Sequence, residues 1–205
     1  MRIGIPQSLL YYDFFPYWET FFHGLGYQCI LSGKTTKAVL DMGALACVQD
    51  SCIPVKLYHG QVLSLIDRCD KVFIPRFRSI KRREFICPKF IGLPEMLRGA
   101  GVIDDEKMLV IDVDGYKKSS ERHIGFLKYA MRAGKSKSEA KKVINNCELN
   151  QLKYKREQLR KLDEIANSDV SVIGIIGQPY IVYDSYINME LAEKLGREGY
   201  GVIYP

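Results

Sequence analysis

The sequence predicts an α/β fold: a mostly parallel sheet with helices on both faces (a Rossmann-like lobe), then a long connecting helix and the start of a second, similar lobe. Three observations carry that prediction. Strand-length apolar runs alternate with helix signals through the first half of the chain, a long polar stretch with helical periodicity follows, and near the end the opening pattern recurs. The 205 residues, 47% hydrophobic and 26% charged, are enough to bury one sizeable core.

The elements follow in order. Residues 2–5, Arg-Ile-Gly-Ile, read as a strand, and Pro16 suits the first turn of a helix that Gly26 closes with a left-handed cap. Residues 28–31 form the next strand, Thr36 caps a short helix to Met42, and Ala44-Leu45-Ala46-Cys47-Val48 is a third apolar piece. Pro54 opens a helix with Val55, Tyr58, Val62, Leu65 and Ile66 on one face; residues 71–74 are a strand, Pro94 to Gly99 a helical turn, and 108–113 a strand bounded by acids. From Ser136 to Asn167 the pattern is one polar helix. Ser136 and Glu139 form a capping-box pair at its start, and Ile144, Leu152, Leu159, Leu162 and Ala166 form an apolar stripe.

After this helix the chain repeats its own beginning. Ile3-Gly4-Ile5, Tyr12-Asp13, Glu19 and Gly26-Tyr27 correspond to Ile173-Gly174-Ile175, Tyr183-Asp184, Glu190 and Gly199-Tyr200, with a small slip in spacing on each side of the Tyr-Asp pair. The expected organisation is a first lobe at 1–115 carrying the cysteine motifs, a helical connector at 116–168, and the beginning of a second lobe at 169–205 that is itself incomplete. A single βαβ cannot cover a sheet on both faces. The remainder of a longer polypeptide, or a second subunit, is therefore expected as a partner.

Several function classes drop out. No apolar run reaches the roughly 20 residues of a membrane helix, and the amino terminus lacks the basic and apolar regions of a signal peptide, so a cytoplasmic protein is expected. No Gly-x-Gly-x-x-Gly and no phosphate-loop lysine motif is present, so no nucleotide-binding signature belongs to this chain. The net charge of +6 comes mainly from 76–83 and 117–161, where basic residues of the long helix interleave with Glu148, Glu157, Asp163 and Glu164. Such interleaving describes a solvated helix face better than a nucleic-acid track.

The cysteines carry more information. Of six, Cys29, Cys69 and Cys147 read as small buried hydrophobes, and Cys47 either completes an apolar run or adds a local ligand. Cys52 and Cys87 differ: each lies by a proline and a lysine, in Asp50-Ser51-Cys52-Ile53-Pro54-Val55-Lys56 and in Cys87-Pro88-Lys89. Thiols in loops beside apolar segments, in a chain with no export signal, suit a metal or cluster better than a disulfide. Cys52 stands at a predicted helix start, where backbone amides favour an anion, and Lys56 and Lys89 add positive charge. His59 lies on the same predicted helix and is a further, outer candidate. Neither motif is Cys-x-x-Cys, and two thiolates cannot fill a tetrahedral site. Structural thiols, a zinc site and a cluster site all remain open on the residues alone.

Four segments together resemble the activase-related proteins of the 2-hydroxyacyl-CoA dehydratase family and their double-cubane-cluster relatives. They are Arg2-Ile-Gly-Ile-Pro-Gln-Ser-Leu-Leu-Tyr-Tyr, the Asp50 to Lys56 block with His59-Gly60, Phe85-Ile-Cys87-Pro-Lys-Phe-Ile-Gly-Leu-Pro94, and Gly177-Gln-Pro-Tyr-x-x-x-Asp184. The resemblance implies an iron–sulfur cluster held by cysteines of α/β lobes, with Cys52 and Cys87 as the first two ligands, Lys56, Lys89 and His59 around them, and an ATP-dependent activator as a partner. It implies low-potential electron transfer or reductive dehydration as the chemistry. The third ligand is where the sequence departs, because no cysteine follows Cys147. The competing expectation is a metal-free module whose basic helix and 76–83 patch bind an acidic partner or nucleic acid.

Overall fold

The computed structural model describes residues 1–204. Four parallel strands, β1 (Arg2–Ile5), β2 (Gln28–Leu31), β3 (Lys71–Ser79) and β4 (Met108–Asp114), form the central sheet in the order β2-β1-β3-β4. From β1 the chain first moves outward to β2 and then crosses back to β3. The point where the winding reverses therefore lies between β1 and β3, and loops leaving the carboxyl ends of these strands border the crevice where open α/β sheets place ligands.

Alternation along β3 shows how the sheet is covered. Phe73 stacks edge-on against Trp18 and Phe22 of α1 (Tyr11–Gly24), and Phe126 of α6 (Ile124–Arg132) closes the same face. The opposite face is filled by the segment after α3 (Ile53–Leu63): a Cβ at Gly4 would lie 2.7 Å from Cys69 Sγ and 3.3 Å from Leu65. Helices thus cover both faces, as the alternating pattern predicts. Cys69 and Cys147 are buried, in keeping with small apolar fillers.

Several boundaries differ from the sequence expectation. Pro16 sits inside α1, which begins at Tyr11, because aromatic burial along Tyr17, Trp18, Phe21 and Phe22 extends the helix past the missing amide. Gly26 adopts φ 80°, the left-handed turn expected of it. Residues 44–48 form no strand. They end α2 (Lys37–Leu45) and the turn after it, leaving Leu45 and Val48 strongly exposed. Thr36 caps α2 as predicted, its side chain accepting from Val39 N.

Helices α2 and α3 pack at backbone distance. A Cβ on Gly43 would stand 1.8 Å from the Lys56 carbonyl oxygen, and one on Gly60 would stand 1.9 Å from that of Val39. Only hydrogen fits at either position. Two short helices, α4 (Pro88–Ile91) and α5 (Leu93–Gly99), connect β3 to β4.

The long helix α7 (Lys137–Ala166) starts with the predicted capping box, Ser136 Oγ accepting from Glu139 N and the Glu139 carboxylate accepting from Ser136 N. Its buried stripe is Ala140, Ile144, Cys147 and Gln151, not the leucines further on: Leu152 and Leu159 are exposed. The reason is that the amino-terminal half of α7 lies on α1, where Gln151 accepts from Tyr17 N and donates to the Asp13 carbonyl. The far end meets a separate two-stranded parallel sheet, β5 (Val172–Gly174) and β6 (Gly201–Ile203), whose Gly201 approaches Ile165. Between those strands lie α8 (Pro179–Val182) and α9 (Leu191–Arg197).

Gly43→Ala or Gly60→Ala forces α2 and α3 apart and is expected to cost at least the ~1–3 kcal/mol typical of overpacking. Gly99→Ala, a helical position with open space around its Cβ, is expected to be neutral or mildly stabilising. Urea unfolding midpoints of the three variants check this.

Candidate thiol site at the carboxyl edge of the sheet

Cys52 and Cys87 are both exposed and both stand at the position preceding a helix. The Cys52 carbonyl accepts from Val55 N at 3.0 Å and Lys56 N at 3.1 Å, and the Cys87 carbonyl accepts from Phe90 N at 2.9 Å. Prolines 54 and 88 occupy the first turns, where their missing amides cost no hydrogen bond. Each thiol is thus presented by a stiffened helix start.

A third segment joins them. Tyr180, on α8, packs its ring 6.0 Å from that of Phe90, one turn past Cys87. Its hydroxyl is pushed above the usual phenol range, by burial first and then by Cys87 and Cys52. The Gly177-Gln178-Pro179-Tyr180 turn signals this position in the sequence, since it ends a strand where open α/β sheets bind ligands, although a tight strand-to-helix turn explains the same residues.

Tyr180 is held in place through Asp184. This buried carboxylate accepts from Thr35 Oγ1 at 2.5 Å with one oxygen, and with the other accepts from the backbone amides of Tyr186 and Ile187. Gln61 of α3 donates to the same Thr35 hydroxyl. Tyr183 stacks on Tyr12 with ring centroids 6.2 Å apart, so the Tyr-Asp pairs of the two repeat copies meet at this junction.

The other expected site residues lie as follows. Lys56 donates to the Gln49 carbonyl at 2.8 Å, tying the loop before Cys52 to the first turn of α3. Lys89 is half-buried beside Cys87. His59 is 1% exposed, and its Nδ1 bonds the Val55 carbonyl at 2.8 Å on its own helix. Cys47 is half-buried in the loop after α2. Around α3 three buried polar atoms have no protein partner: Ser51 Oγ, Tyr58 OH and Gln61 Oε1. Tyr58 borders a cavity of about 10 Å³ between Ser8, Phe90 and Leu93, room for one water molecule.

Against a metal or cluster, this donor set is a partial fit. Two exposed thiols are suitable soft ligands, yet no group of three His, Cys, Asp or Glu side chains that could hold a metal occurs among the described residues. Further ligands would have to come from elsewhere.

A family model for the CoA enzyme activase uncharacterised domain matches residues 2–205. The chain belongs to this CoA enzyme activase domain family. The match covers both cysteine blocks, the long helix and the Tyr180 turn of this activase domain, in agreement with the resemblance drawn from its motifs. No curated protein and no solved structure matches it. No described helix of the activase domain is long and apolar enough to cross a membrane.

Two predictions test the local architecture. Burial lowers the pKa of His59 below its ordinary 6.5, so the unfolded chain binds the proton more readily. Stability should therefore be full above about pH 6.5 and fall as pH drops below it, and His59→Gln should flatten the fall, as read by denaturation midpoints across pH 5 to 8. Asp184→Ala removes the acceptor of Thr35 and of two amides. It is expected to cost ~1–3 kcal/mol and to speed proteolytic cleavage near residues 176–190.

Proposed function

We propose that this activase domain holds one side of an iron–sulfur cluster through the Cys52 and Cys87 thiolates and works with a dehydratase component and an ATP-dependent activator. What supports the reading is a pair of exposed thiols, each at the start of a helix with proline in its first turn, in a chain of the CoA enzyme activase domain family. The remaining ligands would come from another segment or subunit.

A cluster bound there would supply low-potential electrons for reductive or dehydration chemistry on an acyl thioester. The residues of this chain do the rest. Pro54 and Pro88 stiffen the backbone that presents the sulfurs, so ligand geometry is set before anything binds. Lys56 ties the loop before Cys52 to the first turn of α3 through the Gln49 carbonyl, and Lys89 follows Cys87 within the first turn of α4. His59, bonded within α3, is a positioning residue that stiffens the helix behind Cys52. Tyr180 packs its ring on Phe90, one turn past Cys87, and so supports the segment that carries that thiol.

The test is iron and acid-labile sulfide content of the protein prepared without oxygen. Cys52→Ser and Cys87→Ser should each lose most of both, together with the brown absorbance. Full iron and sulfide in both variants, or stoichiometric zinc in their place in the parent protein, would overturn the assignment.

A further inference from the structure

Next to Cys87 the structure builds a surface that the thiol site does not use. The loop after β3 carries Lys81, Arg82 and Arg83, and the loop after β4 carries Lys117 and Lys118; all five are exposed. Only one acid, Glu84, lies in these two loops, and it pairs loosely with Lys81 at 4.0 Å. The other acid at their base, Asp114, is already engaged by Arg78. The loops are fastened together. Arg83 N donates to the Tyr116 carbonyl at 3.0 Å, and Gly115 is buried so closely under Ile80 that a Cβ there would lie 2.8 Å from its carbonyl oxygen. Arg83 itself is held at φ 62°, a left-handed conformation uncommon for a non-glycine residue.

At the centre Phe85 and Tyr116 stack face to face, 4.4 Å apart and 15° from parallel, while the Arg78 guanidinium lies 5.7 Å from the Phe85 centroid. Phe85 is nevertheless 58% exposed. An exposed, rigid aromatic pair ringed by arginines and lysines has the composition of a protein–protein hot spot with a steering field around it.

We propose that these two loops form a docking surface for an acidic protein partner, which would bring that partner against the Cys87 edge of the sheet. Charge complementarity argues for an acidic face: five cations stand against one local carboxylate. Nucleic acid fits less well. The ring that a base would stack on is already engaged by Tyr116 and Arg78, and the cations of α7 that would extend a backbone track alternate with acids. This inference does not depend on whether a cluster forms.

The probes are a short fluorescein-labelled poly-glutamate peptide and an oligothymidylate of equal charge, followed by anisotropy with the intact protein. The peptide should bind, weaken steeply between about 50 and 200 mM salt, and protect Lys81, Lys117 and Lys118 from acetylation more than Lys141 and Lys142. K81E/R82E/K117E should reduce its affinity by about tenfold or more, the neutral set K81Q/R82Q/K117Q by less, and K141E/K142E hardly at all. Equal loss in the α7 control, or uniform protection of all lysines, overturns the proposal in favour of diffuse charge attraction. Tighter binding of the oligothymidylate, abolished by the same loop variant, overturns it in favour of nucleic acid.

Discussion

The contact of α2 with α3 at Gly43 and Gly60 governs what the rest of the molecule can do. Two backbones approach until each glycine α-carbon faces a carbonyl oxygen, a distance no side chain allows. The crossing fixes α3 against the sheet, with Tyr58, Val62 and Leu65 in the core, and so fixes where its first residues emerge. Cys52 inherits its position from that packing. The thiol is exposed, but the helix behind it is buried almost all round, so its placement is as rigid as a core element.

Much of this was legible from residue order alone. Strand-length apolar runs gave the sheet, Thr36 and the Ser136/Glu139 pair marked helix starts that the structure reproduces, and Pro54 marked the helix after Cys52. Misreadings arose where tertiary packing overrode a local signal. Pro16 reads as a helix opener, but an aromatic-rich segment gains more from burying Trp18, Phe21 and Phe22 than it loses at one amide. The run at 44–48 reads as an apolar piece, yet much of it is turned outward at the tip of a helical hairpin. The buried stripe of α7 shares Ile144 with the expected one but continues through Cys147 and Gln151, poor advertisements for burial, while Leu152 and Leu159 stay exposed.

The candidate site was legible only in part, for a reason built into its construction. Local motifs single out Cys52 and Cys87, since proline and lysine flank both. What a motif cannot convey is a residue brought in from the far end of the chain. Tyr180 packs on Phe90 of the Cys87 segment, while Asp184 bonds Thr35 and Tyr183 lies on Tyr12, contacts that span most of the sequence. His59 shows the converse: a residue that looks available on a helical wheel is sealed within the helix packing.

The stacking of Tyr12 on Tyr183 has a structural consequence of its own. Two contacts, one aromatic and one hydrogen-bonded, join Tyr12 and Thr35 of the first part of the chain to Tyr183 and Asp184. A motion that slides one segment past the other must break the aromatic stack and the Asp184–Thr35 bond together. The segment that carries Tyr180 is thus latched to the opening loops of the first sheet at two points.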